Sequence, residues 1–248
     1  MPKFFVDSKQ IKNNFITITG QDVRHITNVL RLNLGDKINI CNKDNGDNFI
    51  AVIKDVQKEI IICEVLEKIY EDKKSNVEIT IFQGLPKADK MELIIQKCTE
   101  LGVQEITPVD MERCVVKLDS KSEIKKIERW QKIAEAASKQ CRRNNICRIN
   151  GITNIKSICS IINEYDILLV PYEDENNNSF KSVLQNNKKD NIKIGIVIGP
   201  EGGFDLKEIE ELKRHGANII TLGTRILRTE TVALAMTSAI MYEFNELG

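Results

Sequence analysis

From residue 77 onward, short apolar runs alternate with segments whose apolar residues recur at helical spacing. Residues 77–83 read as a strand, and residues 165–170, 192–198 and 218–222 are runs of mostly Val, Ile and Leu bounded by turn residues. Between them, 89–101 puts Met91, Ile94, Ile95, Cys98 and Leu101 on one helical face, and 120–140 does the same with Ile124, Ile127, Trp130, Ala134 and Ala137. Strands without polar alternation are buried on both faces, and strands that alternate with helices pair in parallel beneath those helices. The pattern therefore predicts an α/β unit with a parallel sheet. Local signals mark its helix ends. Gly102 stands where a left-handed C-cap belongs, and Ser120 with Glu123 reads as a capping box. Asp205 with Glu208 reads as a second box, whose helix Gly216 ends. Residues 176–190 are polar and are expected to be a surface excursion.

The first seventy residues read differently. Candidate strands 37–41, 48–53 and 59–66 are short, β-branched and separated by turn residues such as Asp44-Asn45-Gly46-Asp47. A short helix near 22–30 precedes them. This predicts a small β-barrel rather than a second α/β unit. The polar stretch YEDKKSN at 70–76 is the expected linker. No internal repeat is visible.

Composition narrows the chemistry. Lys+Arg and Asp+Glu are both 36, so any nucleic-acid site must be a local basic patch rather than a whole-molecule field. The first twelve residues lack the apolar core of a signal peptide, and no apolar run is long enough for a bilayer. Seven cysteines, none in a Cys-x-x-Cys pair, suit free thiols in a reducing cytoplasm. With only His25 and His215 available, no metal site is expected, and catalysis of the Ser-His-Asp kind would have to use one of those two.

Two glycine-bearing loops near the C-terminus carry the candidate site. IVIGPEGGF (196–204) is a buried strand running into a glycine turn and then a helix, and Gly199, Gly202 and Gly203 permit close backbone approach to a ligand. A tight strand–helix turn without a ligand explains the same pattern. A dinucleotide site would need an acidic residue after the next strand for a ribose, and that strand leads instead into Gly223-Thr224-Arg225. The second loop, LGTRILRTETVALA (222–235), opens the last helix. Thr229 is its expected N-cap, and its expected buried face is Val232, Ala235, Met236, Ala239, Ile240 and Phe244. A salt bridge from Arg228 to Glu230 would explain that arginine structurally. Two such loops after adjacent strands lie at one sheet edge, where ligands of α/β folds bind.

The third feature is charge. Residues 121–148 hold nine Lys and Arg against three Glu. Lys139, Arg142, Arg143 and Arg148 cluster at a helix end, which the helix dipole favours on its own. A solvated face and a phosphate-tracking patch both fit; with Lys87 and Lys90, the cluster points towards RNA.

Read together, IGPEGGF and LGTRILRTETVALA resemble the signature of the RsmE family of SPOUT-class 16S rRNA (uracil-N3) methyltransferases. The resemblance extends over almost the whole chain. HITNVLRL (25–32) with Gly35-Asp36 resembles the family's PUA-like domain, and LPKADKMELIIQKCTELGV (85–103), ERCVVK (112–117) and RWQKIAEAASKQCRR (129–143) follow in the family's order. Two positions depart from the pattern: the family usually has glycine where this chain has Arg142, and commonly proline where it has Cys147. The resemblance implies a PUA-like RNA-binding domain over 1–72 and a trefoil-knotted methyltransferase domain over 73–248, assembled as a homodimer. It implies S-adenosylmethionine as cofactor, held bent over Leu169, Pro171, Ile198, Gly199, Pro200, Glu201, Gly202, Gly203, Leu222, Gly223, Ile226 and Leu227. It implies RNA contacts at Arg24, Arg31, Lys87, Lys90, Arg113, Lys139, Arg142 and Arg143, with 16S rRNA or the assembled small subunit as partner. Arg228 is the residue expected to stabilise charge on uracil, and Glu230 to orient it or relay a proton. A non-catalytic ribosome-assembly factor of the same fold is the alternative from another class; a nucleotide-dependent oxidoreductase is weakened by the missing ribose carboxylate.

Overall fold

The computed structural model describes residues 1–70 and 75–247. Residues 71–74, within the expected linker, lie outside the described residues, as does the expected boundary at 72/73. The chain forms two compact units, Met1–Lys74 with Ser138–Ile146, and Ser75–Ala137 with Cys147–Gly248.

The first unit is a six-stranded sheet. Its strands are β1 (Lys3–Val6), β2 (Ile11–Lys12), β3 (Phe15–Thr19), β4 (Lys37–Asn42), β5 (Asn48–Val56) and β6 (Ile60–Ile69), in the order β1-β4-β5-β6-β3-β2. All pairings are antiparallel except β1 with β4. The periodicity locates β4 to β6 but not β1 to β3. The expected helix is split into α1 (Gln21–Arg24) and a wide π-type turn at His25–Val29. The core is built from Ile16, Ile18, Ile38, Ile40, Ile53 and Ile61, all fully buried.

The end of helix α3 (Ser120–Gln140) belongs to this unit from Ser138 on. It closes with a Schellman motif: the Arg143 amide donates to the Ser138 carbonyl and the Arg142 amide to the Lys139 carbonyl. The residue such a motif puts in the left-handed region is normally glycine, and here it is Arg142, at φ 62°. The position at which the resemblance leads one to expect glycine is therefore one where glycine is physically preferred. Arg142→Gly should stabilise the protein by about 0.5–1 kcal/mol, the left-handed cost less the extra freedom that glycine loses on folding. A melting curve checks this; a lower Tm for the glycine variant would refute it.

The second unit is the expected parallel sheet. Its strands are β7 (Val77–Gly84), β8 (Glu105–Val109), β9 (Arg148–Ile149), β10 (Ile167–Pro171), β11 (Ile192–Ile198) and β12 (Asn218–Ile220). Their order is β12-β10-β11-β7-β8-β9, with every pairing parallel. From β7 the chain runs outward through β8 and β9, then returns to fill the other side. The β7/β11 boundary is thus a topological switch point, where loops from the carboxyl ends separate and leave a crevice. Helices α2 (Lys90–Glu100), α4 (Ile155–Ser160), α5 (Phe180–Asn186), α6 (Leu206–Arg214) and α7 (Thr229–Glu243) complete the unit. Among the described residues, no helix is long and apolar enough to cross a membrane.

The capping signals divide. The Asp205–Glu208 box forms, with Gly216 at φ 95° beyond the helix, and Gly102 sits at φ 107°. The Ser120–Glu123 box does not form. Asp119 accepts the Ser122 amide at 2.7 Å, and Glu123 reaches away to accept the Ile152 amide. Aspartate is as good a cap as serine, and the neighbouring backbone offers Glu123 a better donor. The excursion at 176–190 contains α5, capped by Ser179 and anchored by buried Val183 and Leu184. On α7, Met236, Ile240 and Phe244 are buried as expected, but Ala235 and Ala239 are exposed and Thr229, Ala233, Thr237 and Met241 are buried instead. A helix apolar nearly all round carries no directional signal of its own.

All seven cysteines are free. Burial pushes the thiols of Cys63 and Cys98 up to about 12, so neither ionises to a nucleophile or metal ligand near neutrality.

Candidate active site

At the carboxyl edge of the parallel sheet, the loops after β7, β10, β11 and β12 surround a cleft of ≈ 390 Å³. Ile198 to Phe204 form one wall, and Ile226 to Thr229 with Val232 form another. A second cavity of ≈ 350 Å³, lined by Leu222, Gly223, Thr224 and Arg225 among others, shares Pro171, Glu173, Ile226, Leu227 and Val232 with the first. Every residue expected to hold a cofactor lines one or both cavities, except Leu169, which is fully buried inside β10.

The glycines explain why the wall can be built. Gly203 turns the chain at φ 69°, its amide donating to the Pro200 carbonyl. A Cβ on Gly203 would lie 3.0 Å from Oε1 of Glu173. At Gly84, the last residue of β7, a Cβ would lie 2.7 Å from both the nitrogen and Cδ of Pro200. Glycine there lets the end of β7 touch the turn after β11.

A buried polar relay ties the second loop to the first. Gln83, fully buried, donates from Nε2 to the Thr229 hydroxyl at 2.8 Å, and that hydroxyl donates to the Gly199 carbonyl at 2.8 Å. Thr229 is therefore not the N-cap of α7. Arg228 takes that position with no side-chain cap, and Thr229 bonds a carbonyl thirty residues away. Sequence reading did not single out Gln83 or Gly84. A lone glutamine inside an apolar strand was the available signal for the first.

Charges gather on the rim. Arg228 is exposed and lines the cleft, and among the described residues its guanidinium has no hydrogen-bond or ion-pair partner. Glu230 does not pair with it. The Lys90 ammonium lies 3.3 Å from Oε2 of Glu230 and 2.9 Å from Oε1 of Glu201. The Lys87 amide also donates to both oxygens of Glu201. The hydrogen bond to Glu201 is the main reason the Lys90 ammonium is held above the ordinary lysine value; partial burial opposes it and the neighbouring Glu230 carboxylate assists. Burial pushes Glu201 up, but the Lys90 ammonium and backbone amides outweigh it and hold that carboxyl below its ordinary value. Arg113 donates from Nη1 to the Gly202 carbonyl at 3.1 Å, bracing the turn from outside.

The other expected RNA contacts lie in the first unit. Lys139 is paired with Asp22 at 2.8 Å. Arg24, Arg31 and Arg142 are exposed and Arg143 is half-buried.

Residues 73–241 match the model of the RNA methyltransferase domain. This chain belongs to the RNA methyltransferase family. Residues 18–66 match a second model, the RNA methyltransferase PUA domain. The ribosomal RNA small subunit methyltransferase E of Bacillus subtilis is 37% identical over 250 residues, covering 98% of this chain and 97% of its own. The protein of that name from Mesomycoplasma hyopneumoniae is 32% identical, covering 94% and 96%. Among solved structures, a ribosomal RNA small subunit methyltransferase E from Neisseria gonorrhoeae, bound to S-adenosyl methionine, superposes with a TM-score of 0.85 at 29% identity over 98% of each chain. The family's methyltransferase domain thus contains the cleft, and its PUA domain falls in the β-rich first unit.

Proposed function

We propose that this protein transfers a methyl group from S-adenosylmethionine to N3 of a specific uridine in 16S rRNA of the small ribosomal subunit. The observation that carries the reading is the cleft at the switch point, walled by glycine loops and rimmed by Arg228, an arginine without a partner among the described residues, in a chain whose relatives bear the name above. The residues fit the cofactor: the turn through Gly199, Gly202 and Gly203 lines the cleft with no side chain at those positions, and Pro171, Ile226, Leu227 and Val232 offer apolar walls. When bound, the cofactor supplies an electrophilic methyl on a sulfonium. The chain's own work is to hold the uracil in line with it and to stabilise charge on the ring as N3 gives up its proton. Arg228 is assigned to uracil O2 or O4, and Glu230 to passing the N3 proton towards solvent. Uracil N3 is normally paired, so the target nucleotide must be open or flipped out. Mass mapping of rRNA from cells lacking the protein tests the reading: one methyl on one uridine should disappear, and an unchanged map would refute it.

RNA is assigned to Arg24, Arg31, Arg142 and Arg143 of the first unit, and to Lys87 and Arg113 of the second. Neutralising Arg142 and Arg143 together should weaken RNA binding and flatten its salt dependence by roughly one to two units of log–log slope. Cofactor affinity, measured by calorimetry, should stay the same; its loss would contradict the assignment. A trefoil knot at the C-terminus belongs to the proposal through the family resemblance alone. A homodimer is supported by α7, where Ala235, Ala239 and Tyr242, 73% exposed, leave an apolar face in water. Sedimentation as a monomer at micromolar concentration would remove the dimer from the proposal.

A further inference from the structure

Three separate segments meet at one ammonium group. Lys90 is the first residue of α2, Glu201 lies in the glycine turn after β11, and Glu230 lies in the first turn of α7. All three side chains are mostly buried, at 28%, 25% and 16% exposure. A lysine at a helix N-terminus is opposed by the helix dipole, so the local helix does not favour its placement. Neither does the backbone: the loop leading to it turns through Ala88 at φ 53°, a left-handed conformation that alanine adopts at a cost. That turn brings both the Lys87 amide and the Lys90 ammonium onto Glu201. Oε2 of Glu230 is buried and has no hydrogen-bond donor; the Lys90 ammonium, at 3.3 Å, is its ion-pair partner. Removing Lys90 would leave two carboxylates beside the cleft without their cation.

We infer that Lys90 is a positioning residue for methyl transfer rather than a phosphate contact: it clamps the glycine turn, through Glu201, to the first turn of α7, through Glu230. An ammonium already shared by two carboxylates is not free to neutralise a phosphate. The clamp holds Glu230 at the cleft and keeps the turn against the helix that presents Arg228. The role in methyl transfer rests on the function proposed above; the clamp itself rests only on the contacts.

Lys90→Met and Lys90→Arg test it on the full-length protein. Hydrogen exchange of the unliganded chain should show faster exchange at 199–204 and 229–233 together in Lys90→Met. Methylation at saturating cofactor and RNA should fall about a hundredfold, the scale of small misplacements at a reacting centre. RNA affinity and its salt slope should be unchanged. Lys90→Arg, whose guanidinium can reach both carboxylates, should restore most of the rate and the slow exchange. Unchanged exchange in Lys90→Met overturns the clamp. Intact kcat with weaker RNA binding and a salt slope smaller by about 0.7–0.9 overturns the positioning role in favour of a phosphate contact. If the wild-type protein methylates no RNA, the functional reading fails, and the exchange data still decide the clamp.

Discussion

Arg228→Ala should slow methylation by about a hundred- to a thousand-fold, the usual cost of removing one group that stabilises developing charge. Cofactor affinity should be unaffected. The arginine sits as the N-cap of α7 without using its side chain to cap, so alanine costs the helix little. Its guanidinium has no partner within the described protein, so its loss leaves no buried charge stranded. Thr229, beside it, keeps the loop in place through Gly199. The substitution therefore removes charge at the rim and little else. Single-turnover methylation together with calorimetry separates the outcomes. A wild-type rate, or a parallel loss of cofactor binding, would show that Arg228 does not act on the reacting base.

Gly84→Ala should be the most damaging single-methyl change near the site. The added carbon would lie 2.7 Å from the backbone nitrogen of Pro200 and 3.0 Å from the Ile198 carbonyl. Backbone cannot swing aside as a side-chain tip can, so the cost falls in the upper part of the overpacking range, about 2–3 kcal/mol. In a protein of this size that corresponds to a Tm lower by about 5–10 °C. Relief would come from pushing the turn at 199–204 away from β7, so cofactor binding should weaken as well. A melting curve and a titration with S-adenosylmethionine measure both. Unchanged Tm and affinity would mean that the contact between β7 and the turn does not organise the cleft.

Much of the second unit was legible because its signals are local. Apolar runs of strand length, the stripe on α2, and the caps at Gly102, Asp205 and Gly216 depend on residues within a turn of one another. The failures have equally specific causes. β1 to β3 are short, and β2 has only two residues, too few for a period to show. Ser120 lost its cap to Asp119 because neighbouring polar residues compete for one amide. The buried face of α7 was misjudged because a nearly uniform apolar helix points nowhere until its neighbours are placed.

The candidate site divides along the same line. Its two loops could be read from glycines after apolar strands, since only a few residues permit such turns. The family to which the chain belongs could be read from the order of motifs. What lines up with what could not. Arg228 and Glu230, two apart in sequence, look like a pair, yet the fold gives Glu230 to Lys90 and leaves Arg228 open. Lys90 looks like part of a basic surface, yet it bridges two acids.

The sequence by itself determined the longer strands β4 to β7, β10 and β11, helices α2 and α6 and the two glycine turns, because those choices are settled among residues a few positions apart. Only the tertiary structure decided that Gln83, Thr229 and Gly199 form one relay, that Gly84 abuts Pro200, and that Lys90 joins Glu201 to Glu230. Each of these depends on which strand ends are neighbours at the switch point, and that order is set by long-range packing that no local pattern encodes.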